Sequence, residues 1–250
     1  MDKRYYKEYY TLERGHWWFT VRAQILEDYV RRNIYKGSPL KILNVGVATG
    51  ATSDMLAKFG EVTSLEYDAD CCAFLREELN MEVINGSVLE LPFGAGEYDL
   101  VCAFDVIEHV EDDTLAVREM KRVCKPGGDL FITVPALMVL WSQHDKVNHH
   151  FRRYKMSGVK ALFERDTDGS ERFSSYFNSL LFPPIFVFRV LSKLLPKRST
   201  KNNSGSDFGV FNNGFTNKLL AAFFRIELSW LRFSKFPVGV SILYSWKKKG

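Results

Sequence analysis

Residues 41–50 read KILNVGVATG, a short apolar segment that runs directly into a turn of small residues. The β-branched part is typical of a buried strand, and a helical pattern begins near Ala51. A strand that leads through such a turn into a helix N-terminus brings backbone N–H groups close to a ligand. The stretch therefore predicts an α/β fold with a binding site at its first turn.

Four further strand-like segments follow, and helical patterns lie between them. Strands are predicted at residues 61–67, 81–86, 98–104 and 129–135, and helices at residues 52–59, 71–79 and 113–124. Continuous apolar strands that alternate with helices indicate parallel pairing, with helices on both faces of the sheet. We therefore expect a doubly wound α/β domain.

The segments on either side of this region are rich in aromatic residues. They contain predicted helices around residues 19–32 and at 157–164, 180–195 and 216–233, strands at 171–177 and 238–246, and a polar loop, HDKVNHHFRRY, at 144–154. Residues 196–207 are the best candidate for a flexible linker.

Composition excludes several classes of protein. The 250 residues are 46% hydrophobic and 26% charged, which is typical of a globular chain and not of a disordered or fibrous one. The net charge of +4 is small, so no nucleic-acid partner is expected.

The four cysteines lack metal or redox spacing and are expected to be reduced and buried. Because no signal peptide or 20-residue apolar run is present, we predict a cytoplasmic protein.

The first turn carries small residues at positions 1, 3 and 5, as GVATG in residues 46–50. A dinucleotide fingerprint places its third glycine at position 6, where this chain has Ala51. Glu66 follows at the end of the second strand, where a carboxylate accepts hydrogen bonds from both hydroxyls of a ribose. The pattern therefore predicts a ribose-containing cofactor.

Several ordered motifs in the central hundred residues resemble those of class I S-adenosylmethionine-dependent methyltransferases of the bacterial type 11/12 kind. They are GVATG (46–50), NGS (85–87) with LPF (91–93), YDLVCAFDVIEHVED (98–112) and CKPGG (124–128). The resemblance implies a seven-stranded Rossmann-like sheet of order 3-2-1-4-5-7-6 and S-adenosyl-L-methionine as the cofactor. Three residues depart from the family pattern: Ala48 replaces a usual Gly, and Asn44 and Ser87 each replace a frequent Asp.

The same resemblance predicts the residues that contact the cofactor. They are Arg22, Gly46, Val47, Ala48, Thr49, Gly50, Glu66, Tyr67, Ser87, Val88, Leu89, Phe104, Asp105 and His109. Glu66 would hold the ribose, residues 87–89 the adenine edge, and Arg22 the carboxylate of the methionine moiety. Asp105 could equally cap a helix. His109 is expected to have a structural role and not to act as a base.

The loop at residues 144–154 and the N-terminal segment are the candidates for acceptor binding. The loop follows the fifth strand, at the sheet edge where α/β proteins bind ligands. One of His144, His149 and His150 is expected to be the general base. The predicted acceptor-binding residues are Trp17, Trp18, Arg152, Arg153 and Tyr154. The arginines could instead form a structural lock with a carboxylate, and the tryptophans could belong to a helix that only packs on the sheet. No metal site is expected, because the loop has no fixed ligand spacing and one carboxylate, Asp145.

These expectations combine into a single methyltransferase domain over residues 1–250. Its parts are an N-terminal helical cover (1–40), a cofactor-binding core (41–177), a helical cap insertion (178–236) and a last strand with a basic tail (237–250). The insertion, with Lys193, Lys197, Arg198 and Lys201, is expected to be a lid, a peripheral membrane contact or a dimer interface.

The predicted reaction is O-methylation of a small, sugar- or lipid-linked metabolite. Two alternatives belong to other classes. The substitutions at Asn44 and Ser87 suggest a regulator that binds S-adenosylmethionine without turning it over. A NAD(P)-dependent oxidoreductase would need a glycine at position 51.

Overall fold

A computed structural model describes residues 3–165, 167–194 and 214–250. Its centre is a seven-stranded sheet of order β3-β2-β1-β4-β5-β7-β6. The strands are β1 (Leu40–Val45), β2 (Gly60–Glu66), β3 (Ile84–Asn85), β4 (Tyr98–Phe104), β5 (Cys124–Pro135), β6 (Gly169–Phe177) and β7 (Ser241–Lys248). The pairs among β1 to β5 are parallel, and β7 pairs antiparallel with both β5 and β6. The predicted fold class and strand order are confirmed.

Helices cover both faces of this sheet. They are α1 (Lys3–Gly15), α2 (Trp17–Tyr29), α3 (Ala51–Leu56), α4 (Ala69–Leu79), α5 (Asp113–Val123), α6 (Gln143–Val147), α7 (Met156–Phe163), α8 (Phe182–Leu194) and α9 (Gly214–Leu231). A π-helical turn, Val30–Ile34, extends α2. Local sequence determines where α5 begins and ends. Asp112 caps its first turn by accepting the Leu115 N–H at 2.8 Å, and the basic residues Lys121 and Arg122 occupy its last turn.

The structure differs from the predicted elements in three places. The third strand is only two residues long, because the chain leaves α4 through a left-handed Asn80 and Met81 still donates its N–H to the Leu75 carbonyl of that helix. The helix α1 was not predicted; its Tyr6 ring stacks on Phe74 of α4, and the Tyr6 hydroxyl donates to Asp68 at 2.9 Å. The predicted turn after α5 is an irregularity within β5, where Gly127 adopts a φ of +73°.

Alternating side chains on the central strands build two separate cores. Leu43 and Val101 face α5 and α7 in one core, while Ile42 and Leu100 face α2, α3 and α9 in the other. The helices that follow β1 and β4 therefore lie on opposite faces of the sheet. All four cysteines are buried and free, as predicted.

The segment between β6 and β7 carries α8 and α9, and α9 packs against α2. The rings of Trp17 and Phe224 meet edge to face at 5.9 Å between centroids. Asn217 accepts the Trp17 backbone N–H at 2.7 Å, and Arg232 pairs with Asp28 at 2.6 Å. The N-terminal helices and the insertion thus support each other.

Part of the predicted insertion cannot be compared with the structure. The linker candidate at 196–207, with Lys197, Arg198 and Lys201, lies outside the described residues, as does the side chain of Lys193. Among the helices that are described, none is long and apolar enough to cross a membrane.

A buried carboxyl group anchors α9 to the end of β6. Glu227 is fully buried, and its Oε1 accepts the backbone N–H groups of Ser179 and Leu180, each at 2.7 Å. Burial raises the pKa of Glu227 to about 7, although these hydrogen bonds favour the charged form. Between about pH 4.5 and pH 7, Glu227 is therefore protonated in the folded state and ionised in the unfolded chain.

This raised pKa makes stability depend on pH. The contribution of protonated Glu227 to the free energy of unfolding is present at pH 5 and is lost as the pH rises through 7. Glu227→Gln keeps the accepting oxygen and cannot ionise, so the free energy of unfolding of the variant relative to the native protein should rise by about 2 kcal/mol between pH 5 and pH 8. Urea unfolding at both pH values measures this difference. A difference that stays constant, as expected for the exposed control Glu8→Gln, would contradict the buried, proton-bound state.

Candidate active site

A cleft of about 1940 Å³ opens at the carboxyl ends of the parallel strands. The neighbouring strands β1 and β4 continue into helices on opposite faces, so the chain separates at this point and leaves a crevice. The loop after β1, the end of β2, the segment after β4, residues 144–153, and parts of α1, α2 and α8 line it.

Tight backbone geometry shapes the loop after β1. Gly46 has a φ of +70°, and a Cβ there would lie 2.5 Å from Cγ2 of Val106. Gly50 has a φ of +89°, and a Cβ there would lie 2.8 Å from Sδ of Met81. Ala48 also adopts a positive φ, +47°, which costs about 1 kcal/mol for a residue with a side chain. Both glycines are therefore required by their surroundings, and Ala48 occupies a backbone conformation that favours the glycine usual in related loops.

Glu66 fixes this loop relative to β2. Its carboxylate accepts the backbone N–H groups of Ala48 at 3.0 Å and Asp68 at 3.1 Å. Burial raises the pKa of Glu66, and the backbone hydrogen bonds partly offset that rise. The carboxyl group lies on the cleft wall at the end of β2, the position expected for a ribose ligand.

Most of the predicted cofactor residues come together around this carboxylate. Those that line the cleft are Arg22, Gly46, Val47, Ala48, Thr49, Glu66, Tyr67, Ser87, Val88, Leu89, Phe104, Asp105 and His109. Gly50 is not among the lining residues and packs against Met81 behind the loop. Thr49 Oγ1 donates to Glu13 of α1, which holds the unpredicted helix against the loop.

Arg22 reaches the cleft from α2. Its Nη2 donates to Asp105 Oδ2 at 2.6 Å and to Thr133 Oγ1 at 2.9 Å, while its Nε has no partner within the described parts of the chain. The guanidinium lies 5.1 Å from the centre of the Trp18 ring. Asp105 has a φ of +57° and caps no helix, so its role is to pair with Arg22. Arg22 lines the cleft, so its positive charge lies where a ligand carboxylate could bind.

The other end of the cleft contains the polar loop, which is organised by one buried carboxylate. Asp145 is fully buried; its Oδ1 accepts Arg153 Nε at 2.7 Å and His150 Nδ1 at 2.9 Å, and its Oδ2 accepts the Ser142 N–H at 2.8 Å. Burial alone would raise the pKa of Asp145, but these partners hold it well below its ordinary value. Arg153 is therefore part of a structural lock, the alternative that the sequence left open; because it also lines the cleft, its contact with the acceptor stays a prediction.

Arg152 and Tyr154 are held by a second carboxylate, that of Asp113. Arg152 Nη1 pairs with Asp113 Oδ2 at 2.7 Å, and the Tyr154 hydroxyl donates to the same oxygen at 2.8 Å. Neither residue lines the cleft. Both side chains attach the loop to the start of α5, and their contact with the acceptor stays a prediction.

The predicted histidines do face the cleft, together with residues from the segment after β4. His144, His149, His150, His109 and Glu108 all line it. The rings of His109 and His150 meet edge to face with centroids 4.6 Å apart. Burial lowers the pKa of His109 to about 4. Glu108 was missed by the sequence analysis, because its place in DVIEHVED carries no signal of burial.

The two predicted tryptophans also line the cleft. Trp17 is buried against α9, and the Trp18 N–H approaches His16 Nδ1 at 3.3 Å at the start of α2. The helix α2 therefore packs on the sheet and also forms part of the cleft wall.

The comparison with protein families agrees with this geometry. Residues 43–132 match the model of a methyltransferase domain. This stretch, from β1 into β5, belongs to the methyltransferase-domain family. The family match implies S-adenosylmethionine as the cofactor, and the ribose position at Glu66 and the close-packed glycine loop fit that molecule.

Two curated relatives illustrate how far the similarity extends. A probable S-adenosylmethionine-dependent methyltransferase of Mycolicibacterium smegmatis is 25% identical over 162 residues, which is 64% of this chain and 62% of that protein. A demethylmenaquinone methyltransferase of Staphylococcus aureus is 30% identical over 115 residues, 43% of this chain and 46% of that protein. The chain thus spans about half to three fifths of the length of these relatives.

Solved structures share the fold of the methyltransferase domain. A putative methyltransferase from Bacillus halodurans has a TM-score of 0.56 at 17% identity, over 90% of this chain and 99% of that one. The [4+2]-cyclase SpnF has the same TM-score at 14% identity, over 90% of this chain and 80% of that one. Because a protein described as a cyclase shares the fold, the reaction has to be argued from the site.

The lock around Asp145 gives a stability prediction. Asp145→Asn leaves the Arg153 guanidinium buried without a counter-charge, which should lower the free energy of unfolding by about 3 kcal/mol. Asp54→Asn breaks the exposed pair with Arg14, where Asp54 is 65% exposed, and should cost less than about 1 kcal/mol. Urea unfolding of the two variants compares them directly. Equal losses would show that the buried lock does not organise the loop.

Proposed function

We propose that this protein transfers a methyl group from S-adenosylmethionine to an oxygen of a small, sugar- or lipid-linked metabolite. The observation that carries the proposal is the single cleft, in which Glu66 and the glycine loop stand at one end and the histidine-rich loop at the other. When bound, S-adenosylmethionine supplies a methyl group already activated by its sulfonium. The remaining requirement on the chain is to hold donor and acceptor in line and exclude water.

The donor end of the cleft is built from groups that match the polar parts of the cofactor. Glu66 presents a fixed carboxylate to the ribose hydroxyls, and the residues at 87–89 border the adenine. Arg22 lines the cleft beside its bond to Asp105, and its positive charge suits it to hold the methionine carboxylate. The nearby aromatic face of Trp18 is placed to attract positive charge.

The acceptor end suits a hydroxyl compound with an apolar portion. The imidazoles of His109, His149 and His150 face the cleft, where they would assist removal of a proton from a hydroxyl group. Ile185 and Phe188 of α8 line the same cleft, and Phe188 is 67% exposed at its rim. These apolar side chains support an acceptor with a lipid-like part, the kind of molecule that the name of the Staphylococcus aureus relative indicates for that protein.

The insertion therefore acts as a wall and lid of the acceptor site in this proposal. On α8, Val187, Phe188 and Leu191 are half to two-thirds exposed, and Phe188 lines the cleft. An exposed apolar surface next to the cleft would let a lipid-linked acceptor enter from a membrane surface.

Cofactor binding tests the donor site. Glu66→Ala removes the carboxylate that would accept both ribose hydroxyls, so the Kd for S-adenosylhomocysteine should rise by about 10- to 100-fold. Glu61→Ala changes an exposed glutamate on the same strand and serves as the matched control. Isothermal titration calorimetry measures both. Unchanged affinity in Glu66→Ala, or no binding by the native protein, would overturn the proposed function.

The lid role gives a separate prediction about acceptors. Phe188→Ser removes apolar surface at the rim of the cleft, so the KM for a hydroxyl acceptor that carries a long alkyl chain should rise several-fold. The KM for a short analogue with the same hydroxyl group should stay within a factor of two or so. Formation of S-adenosylhomocysteine measures both. Equal changes for the two acceptors would show that α8 does not contact the apolar portion.

A further inference from the structure

Glu108 is the most unusual buried group in the cleft. Its side chain is fully buried on the cleft wall, and neither carboxyl oxygen has a hydrogen-bond partner on another residue in the described parts of the chain. Native proteins almost always satisfy buried polar groups, and an absent ion is one of the standard reasons for an exception. A buried carboxylate also needs a cation or donors to offset its lost hydration.

Two histidines complete a set of ligand atoms around Glu108. One carboxyl oxygen of Glu108 and one ring nitrogen each of His109 and His150 lie within 4.8 Å of one another. Metal–ligand bonds of about 2.1 Å in a tetrahedral site place two ligand atoms about 3.4 Å apart, so side-chain movements that shorten these distances by about 1.4 Å would close the site. Two histidines and one carboxylate are a recurrent ligand set for Zn²⁺ at sites that keep a position open.

The surroundings of each histidine also fit metal ligation. His150 donates its Nδ1–H to Asp145 Oδ1 at 2.9 Å, which leaves Nε2 as the ligand atom. The backbone of Asn148 lies beside the His109 ring. Metal-bound histidines usually donate their second ring N–H to a carboxylate or a backbone carbonyl in this way. The Asp145–Arg153 lock therefore gives His150 the orientation that a ligand needs.

We propose that Glu108, His109 and His150 form a binding site for a divalent transition-metal cation with the chemistry of Zn²⁺. Three protein ligands leave at least one coordination position, which would face the cleft. A hydroxyl group bound there would form a metal–oxygen bond and release its proton to water in the open cleft, because a bound cation lowers the pKa of its ligand. This role for the metal rests on the proposed function, and it makes His150 a ligand where the sequence suggested a base.

The site differs from the earlier expectation that no metal binds. That expectation considered residues 144–154 alone, where Asp145 is the only carboxylate. The fold brings the loop against the segment after β4, and the Phe151 N–H donates to the Glu108 carbonyl at 2.8 Å. The missing carboxylate thus comes from a distant part of the sequence.

Cobalt binding to the full-length, chelator-treated protein tests the proposal. Co²⁺ should bind with one ion per chain, show the visible absorption of a low-coordinate N/O site, and be displaced by Zn²⁺. Glu108→Gln and His150→Gln should each weaken the binding of Co²⁺ by about 100-fold or more, and Asp145→Asn by about 10-fold or more. His149→Gln changes an exposed histidine of the same loop and should leave the affinity unchanged. Glu108→Gln replaces an unpaired buried carboxyl with a neutral group, so the variant is expected to fold.

The possible outcomes distinguish a failure of the metal site from a failure of the proposed function. No Co²⁺ binding, or equal binding by Glu108→Gln and the native protein, overturns the metal site, whereas binding of S-adenosylhomocysteine in the same sample keeps the donor site. Co²⁺ binding without S-adenosylhomocysteine binding keeps the metal site and overturns the function. Azide should alter the cobalt spectrum by occupying the open position. An unaltered spectrum would overturn the role of the cation in holding a hydroxyl group.

Discussion

The divergence of the chain at β1 and β4 is the constraint on which the site depends. These strands are neighbours in the sheet, yet the helices that follow them pack on opposite faces. The crevice between them exposes strand ends and loop backbone that would otherwise be covered. Gly46 shows how close the two sides come, because a single methyl group there would collide with Val106. The glycine loop, Glu66 and the Arg22–Asp105 pair are all held at this crevice.

Much of the fold could be predicted because its signals are local. Apolar strands that alternate with amphipathic helices predict the doubly wound sheet and the position of the glycine loop, and the resemblance to class I methyltransferases implies the strand order. The helix α1 was missed because its packing uses tyrosine and charged side chains, such as Tyr6 and Glu13, whose burial depends on contacts with α4 and the glycine loop. The third strand was predicted to be too long because Met81 is still hydrogen-bonded to the end of α4, a contact that the strand-like pattern MEVING does not indicate.

The acceptor end was harder to predict because its residues meet only in the folded chain. The loop at 144–154 was correctly singled out, but the partners of its arginines were not. Arg153 binds the carboxylate eight residues away, and Arg152 and Tyr154 share Asp113, which lies about forty residues earlier in the sequence. Glu108 is a candidate metal ligand because it is buried under the loop, and no local sequence pattern could indicate that burial.

The central claim is that one cleft presents the cofactor to the histidine-rich loop. A co-crystal structure with S-adenosylhomocysteine tests it most directly. The account predicts that both ribose hydroxyls lie within hydrogen-bond distance of the Glu66 carboxylate, the amino-acid carboxylate lies beside Arg22, and the sulfur faces Glu108 and His150. A ligand whose ribose lies away from Glu66, or whose sulfur faces away from the histidines, would contradict it.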